Sequence, residues 1–173
     1  MIDEATGDRF TRIAATFGRT HINLTGGAAG GALTSYTIDT GRYAVLKVRA
    51  DGRNFAFDAQ TGDFGSHKST TYLASEEDAG EWLIFVIDLN GFENVAGTKG
   101  YTTDSEQNVK FRLTTEGTKK DEAGWYIEDP YTVDIAYFAV VDDIAEAESL
   151  IGGEAYRLYE NGLGAEYEER NVQ

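Results

Sequence analysis

Aromatic side chains set in polar, turn-rich stretches are the residues of this chain best suited to chemistry. An exposed Trp or Tyr ring stacks against the apolar face of a pyranose, and nearby carboxylate, amide and cationic groups bond its hydroxyls. Trp125 and Tyr126 meet that description within residues 118–130 (TKKDEAGWYIEDP), where Asp121, Glu122 and Lys120 supply the polar partners. Tyr101, Tyr72 and Phe64 stand in similar surroundings. The competing fate of any one loop aromatic is to lie down over the end of a β structure, and it is the commoner one. Trp82 sits inside an apolar run and reads as core.

Other chemistries find less support. The chain has thirty Asp and Glu residues, yet DAQTGDFG (58–65) misses the spacing of a calcium loop, and Glu76-Glu77-Asp78 reads as a solvated turn. A glycosidase needs two carboxylates facing each other across a cleft, and no enzyme motif surrounds Asp88 or Glu128-Asp129. A Ser-His-Asp triad would have to draw on His21 or His67, and Ser66-His67 lacks the G-x-S-x-G setting. GGAAGG (26–31) matches no phosphate-binding pattern and reads as a loop. Asn23-Leu24-Thr25 fits a glycosylation sequon, a pattern too common to carry weight.

Composition narrows the classes further. The chain has 173 residues, enough for one domain with a sizeable core, and 41% are hydrophobic, so it folds. Its net charge of −15 argues against nucleic acid or an anionic membrane as partner, since phosphate binding needs the opposite sign. With no cysteine and two histidines, disulfide scaffolds and thiolate metal sites are excluded and histidine-rich zinc sites nearly so. No run approaches the apolar length of a membrane helix, and MIDEATGDRF has the character of no signal peptide. A module excised from a secreted chain, or a virion component, would look the same.

The elements that must position the candidate residues are strands. Twenty glycines, a single proline and short apolar runs of period two point to β structure. Residues 10–17 and 21–25 read as strands, and YAVLKVRA (43–50) alternates as a half-solvated strand, with Lys47 and Arg49 outward. Asp51-Gly52 predicts a hairpin turn into a strand over 54–58. EWLIFVIDL (81–89) and TVDIAYFAVV (132–141) are apolar on both faces, the pattern of central strands, and 109–114 alternates again. Asp143 then caps a short helix, with Glu146 three residues on, an Ile144/Ala147/Ile151 stripe, and Gly152-Gly153 as its stop. Seven or eight such strands predict an all-β, two-layer antiparallel β-sandwich with one short helix after the last core strand; a lipocalin-like barrel is the rival. The sandwich spans residues 1–151, and 152–173 reads as an acidic tail or linker to a neighbouring domain, or as a hairpin about the turn signal at Asn161-Gly162.

Three of these elements, YAVLKVR, EWLIFVIDLN and VDIAYFAVVDDIAEAESL, resemble a known pattern. They are similar to galactose-binding-like jelly-roll modules, non-catalytic β-sandwiches repeated in large extracellular proteins of gut clostridia and other carbohydrate-degrading bacteria. Trp82, Ile87, Asp88 and Leu89 match the family's middle strand, and Ile135, Tyr137, Ala139, Asp142, Glu146 and Ala147 match its closing strand and turn. Val140 and Val141 stand where an aromatic pair is usual. The resemblance covers residues 5–151. It implies a jelly roll in a secreted or surface-displayed, glycan-related setting. It also implies that a structural calcium, if one is held, joins an acidic residue near the start to one on the last strand, here Glu4 and Asp134.

The reading is therefore a non-catalytic carbohydrate-binding or adhesion module of a larger extracellular protein, stacking a polysaccharide or glycan on Trp125 and Tyr126. The alternative is a structural or assembly component, such as a virion decoration or fibre protein or a surface spacer, whose tail docks a neighbouring domain or subunit.

Overall fold

Period-two apolar patterning becomes strands throughout this chain. The computed structural model describes residues 1–17, 19–24, 36–38, 42–50, 54–61, 67–73, 78–89, 107–116, 119–160 and 167–171. Along these run β1 (Thr11–Phe17), β2 (Arg19–Asn23), β3 (Tyr36–Ile38), β4 (Tyr43–Ala50), β5 (Asn54–Thr61), β6 (His67–Leu73), β7 (Trp82–Asp88), β8 (Gln107–Glu116), β9 (Glu128–Val141), α1 (Ile144–Ile151), β10 (Ala155–Tyr159) and β11 (Glu168–Asn171). The structure is mostly β with one short helix. An open six-stranded sheet has the order β1-β9-β4-β7-β10-β11, and a second sheet the order β2-β8-β5-β6, with β3 also paired to β8.

One apolar cluster draws on strands of both sheets. Leu46, Val48, Phe85 and Ile87 come from the six-stranded sheet, and Ile22, Phe57, Phe111 and Leu113 from the other. Phe138 of β9 lies 5.4 Å from Phe111 and 6.2 Å from Phe57, so aromatic rings link the two sheets. The two strands that read as apolar on both faces are interior strands of their sheet: β7 lies between β4 and β10, and β9 between β1 and β4. On the outer face, Val45, Ile84 and Val86 pack with Ala147 and Ile151 of α1 and with Tyr156 and Leu158 of β10.

α1 starts and stops where the sequence predicts. Asp143 Oδ1 accepts from the Glu146 amide at 2.9 Å, and Gly152 closes the helix at φ 73°, a left-handed conformation that glycine adopts without strain.

Several expectations are corrected. β4 and β5 do not form the hairpin suggested by Asp51-Gly52; β4 pairs with β7 and β9, and β5 with β6 and β8 in the other sheet. A turn signal fixes only the local reversal, whereas burying both apolar faces requires the chain to change sheets. The sheet is not purely antiparallel, because β10 runs parallel to β7. A parallel return needs a crossover, and α1 on the outer face supplies it. Residues 155–159 are consequently not an appendage: Tyr156, Leu158 and Tyr159 are buried in the sheet, and β11 pairs antiparallel with β10. β6 and the early start of β9 were not foreseen. Pro130 fits within β9 because Glu128 to Tyr131 carries one residue more than the facing Ala15 to Phe17, and the proline sits exposed in that bulge.

Candidate functional site

Trp125 is held out from the protein by a tight hairpin that precedes β9. Its backbone is fixed from within: the Asp121 carboxylate accepts from the amides of Ala123 (2.9 Å) and Trp125 (2.8 Å). The Asp121 amide donates to the Trp125 carbonyl at 2.8 Å, and Lys120 and Tyr126 form an antiparallel bridge. Gly124 turns the chain at φ 86°, a conformation that favours glycine. At the base, the Ile127 amide donates to the Lys119 carbonyl, and Lys119 pairs with the buried Asp129 at 3.1 Å. The indole is 75% exposed, and Ile127, two residues along and on the same side of the ribbon, is 41% exposed. A solvent-facing indole on a fixed backbone results, so a ligand that stacks on it has no loop to order.

The other residues singled out from sequence fare differently. Tyr126 points to the opposite side of the ribbon and is half-buried, with Lys120 Nζ 4.6 Å from its ring centre. Trp125 and Tyr126 therefore do not form one platform. Asp121 serves the hairpin itself, and Glu122 is exposed on the same turn. Tyr72 is not on a loop: it belongs to β6, opposite Phe55 in register. Tyr101 and Phe64 lie outside the described residues. Of the carboxylates weighed for hydrolysis, Asp88 is paired with Arg42 and Asp129 with Lys119.

Glu4 and Asp134, the pair the resemblance offers for calcium, have different surroundings. Glu4 is exposed, while Asp134 is buried with both oxygens engaged. Arg12 grips it through Nε (2.7 Å) and Nη2 (2.9 Å), and Arg49 Nη2 reaches Oδ2 at 2.9 Å. Two guanidinium groups repel a cation. Among the described residues no group of three or more His, Cys, Asp or Glu is placed to hold a metal ion.

Asp134 instead anchors a polar layer on the outer face that sequence reasoning missed. Lys47 and Arg49, expected to face water, are covered by residues 3–10. Lys47 is 2% exposed and donates to Asp8 (2.7 Å) and Glu154 (2.8 Å). Arg49 pairs with Asp3 and Asp134 and lies 4.5 Å over the Trp82 ring. Trp82, predicted as core, is half-buried here on the outer face, with its indole N–H donating to Asp3 at 3.2 Å and its ring edge-on to Phe10.

These contacts set the protonation states. The Trp82 indole first, then the Thr6 and Ala5 amides and Arg49, hold the Asp3 carboxyl down at about 2 against the opposing effect of burial. Burial works against the charges of Lys47, Arg49 and Asp134, but their partners outweigh it, raising the two cations and lowering the acid. Tyr137 is raised chiefly by burial, with Glu154 and Asp8 adding to it; its hydroxyl is buried with no hydrogen-bond partner among the described residues.

Comparison with protein-family models finds no match, and no curated protein matches the chain in sequence. No helix among the described residues is long and apolar enough to cross a membrane.

Proposed function

We propose that this chain is a non-catalytic carbohydrate-binding or adhesion module of a larger extracellular or surface protein, built as a jelly-roll β-sandwich and stacking a glycan on Trp125. The observation that carries this reading is a three-quarters exposed indole on a hairpin whose backbone is fixed by Asp121. An indole face left in water costs apolar hydration that a pyranose face relieves, and the prefixed loop spares the ordering cost. Glu122, exposed on the same turn, provides an acceptor for hydroxyls, while Lys120 stays with the Tyr126 ring on the other side of the ribbon.

The second reading, an assembly component without a glycan ligand, is favoured by other exposed apolar side chains: Ile127 beside the indole, and Met1 and Ile2 at the N-terminus. Isolated exposed apolar side chains are ordinary on protein surfaces, but a Trp-Ile pair on one ribbon also suits a protein contact.

A glycan array and an insoluble-polysaccharide pull-down separate the two. Retention that is lost in Trp125→Ala, with thermal melting unchanged and Tyr126→Ala close to wild type, supports stacking on Trp125. The ion pairs of Asp134 imply that chelating calcium changes nothing. Absence of retention on every glycan, together with self-association that Trp125→Ala abolishes, selects the assembly reading.

A further inference from the structure

The end of the six-stranded sheet remote from the Trp125 hairpin holds a recess. The hairpin leads into Glu128, the first residue of β9, whereas the recess lies beside Val141, the last; a strand of this length spans roughly 40 Å. Arg42, Tyr43, Asp88, Leu158, Glu160 and Arg170 line a cavity of about 240 Å³. Its walls come from the start of β4, the end of β7 and the β10–β11 pair, so residues distant in sequence converge on it.

Arg42 is placed there by backbone and side chain together. Its amide donates to the Val141 carbonyl (2.9 Å) and its carbonyl accepts from Leu89 (2.7 Å), which staples the residue to the ends of β9 and β7. The buried carboxylate of Asp88 takes Nε–H (3.1 Å) and one Nη2–H (2.8 Å). Two of the five guanidinium N–H groups are thereby used, and the Nη1 pair has no hydrogen-bond acceptor among the described residues. Across the recess, Arg170 donates to Glu168 at 2.9 Å and lies 3.9 Å from Glu160, which is itself largely exposed.

We propose that this recess binds one neutral hexose ring. Its size suits a single ring better than a chain segment. Its chemistry mixes cationic donors (Arg42, Arg170), an anionic acceptor (Glu160) and the Tyr43 phenol over the apolar floor of Leu158, and vicinal hydroxyls use donors and acceptors at once. An anionic ligand gains little, because each guanidinium already faces a carboxylate and the chain carries a net charge of −15. A cation meets two arginines. The inference extends the glycan reading to a second site and makes no use of Trp125.

The test is a titration of the ¹⁵N-labelled full chain with glucose, galactose and mannose, with glucuronate as the charged control. The expected result is saturable amide shifts at Arg42, Tyr43, Glu160 and Arg170 with at least one neutral hexose at millimolar concentration. Glu160→Gln and Arg170→Gln, both at exposed or half-exposed positions, weaken that binding at least five-fold while melting as wild type does, and Trp125→Ala leaves it unchanged. No saturable shift with any of the three hexoses, shifts insensitive to both substitutions, or tighter binding of glucuronate would each overturn the proposal. The hairpin reading fails separately. Polysaccharide retention that survives Trp125→Ala, beside intact recess shifts, sinks the hairpin and leaves the recess standing; retention lost in Trp125→Ala without recess shifts does the reverse.

Discussion

Two residues apart on the same face of β4, Val45 and Lys47 meet opposite surroundings. Val45 is buried beneath α1 with Ile84, Val86 and Ile151, whereas Lys47 is buried beneath the N-terminal segment, between Asp8 and Glu154 and beside the Trp82 ring. One half of the face is sealed by apolar contact and the other by matched charge. Both leave the β4 side chain buried, yet they depend on different physics. Apolar contact tolerates loss of any one partner in proportion to the volume removed. A buried ion pair is close to neutral as a whole but expensive to break from one side.

Substitutions sharpen this contrast. Arg49→Leu is expected to cost the most, about 4 kcal/mol in urea unfolding, because it strips a guanidinium from two nearly buried carboxylates, Asp3 and Asp134, and from the face of Trp82. A loss below about 1 kcal/mol would mean that Arg12 alone satisfies Asp134. In the apolar half, Ile84→Ala should cost about 3 kcal/mol, a cavity effect indifferent to salt and pH. Salt-dependent destabilisation of that variant would break the comparison.

Lys47→Met should cost no more than about 1 kcal/mol despite the burial of the lysine. Its partners Asp8 and Glu154 keep side-chain exposures of 36% and 49% and can turn to water, while the thioether fills the space beside Trp82. A loss approaching that of Arg49→Leu would show that the two acids are held rigidly.

Acid should act on the charged half alone. Asp3 is depressed from 3.8 to about 2, and Asp8 and Asp134 are also lowered, Asp8 mainly by Lys47 and Asp134 by Arg12 and Arg49 against burial. Acids depressed on folding contribute stability that is fully present above their unfolded values and is lost as pH falls through the folded ones. For Asp3 that window runs from about 4 down to about 2. In a Trp125→Ala background the fluorescence of Trp82 should change across it, ahead of the far-UV circular dichroism transition. An unchanged Trp82 spectrum down to pH 2 would place the Asp3 contact outside the forces that hold the segment.

Much of the framework was legible before any coordinates. The doubly apolar runs at 81–89 and 132–141 mark interior strands because only a strand covered on both sides lacks a polar face. Asp143, Glu146 and Gly152 mark a helix whose cap chemistry is local. The hairpin of β4 and β5 was misread because two adjacent strands and a turn residue are equally consistent with a chain that crosses between sheets. Lys47 and Arg49 were misread as solvated for a related reason: alternation reports which residues share a face, not what covers that face. The acidic stretch at residues 3–8 was the available signal, since it complements those cations. The polar turn around Trp125 was legible, and the indole is exposed there, but Tyr126 does not join it, because neighbours on an extended ribbon point to opposite sides.

The sequence by itself determined the β character, the interior strands, the capped helix and an indole in a polar turn, since each follows from periodicity or from hydrogen bonds within a few residues. Only the tertiary structure decided that residues 155–159 enter the sheet, that the N-terminal segment neutralises Lys47 and Arg49, and that Arg42 and Arg170 share a recess. Those arrangements join residues between about 40 and 130 positions apart, and such long-range contacts are fixed by how whole faces bury and pair their charges, which no local pattern encodes.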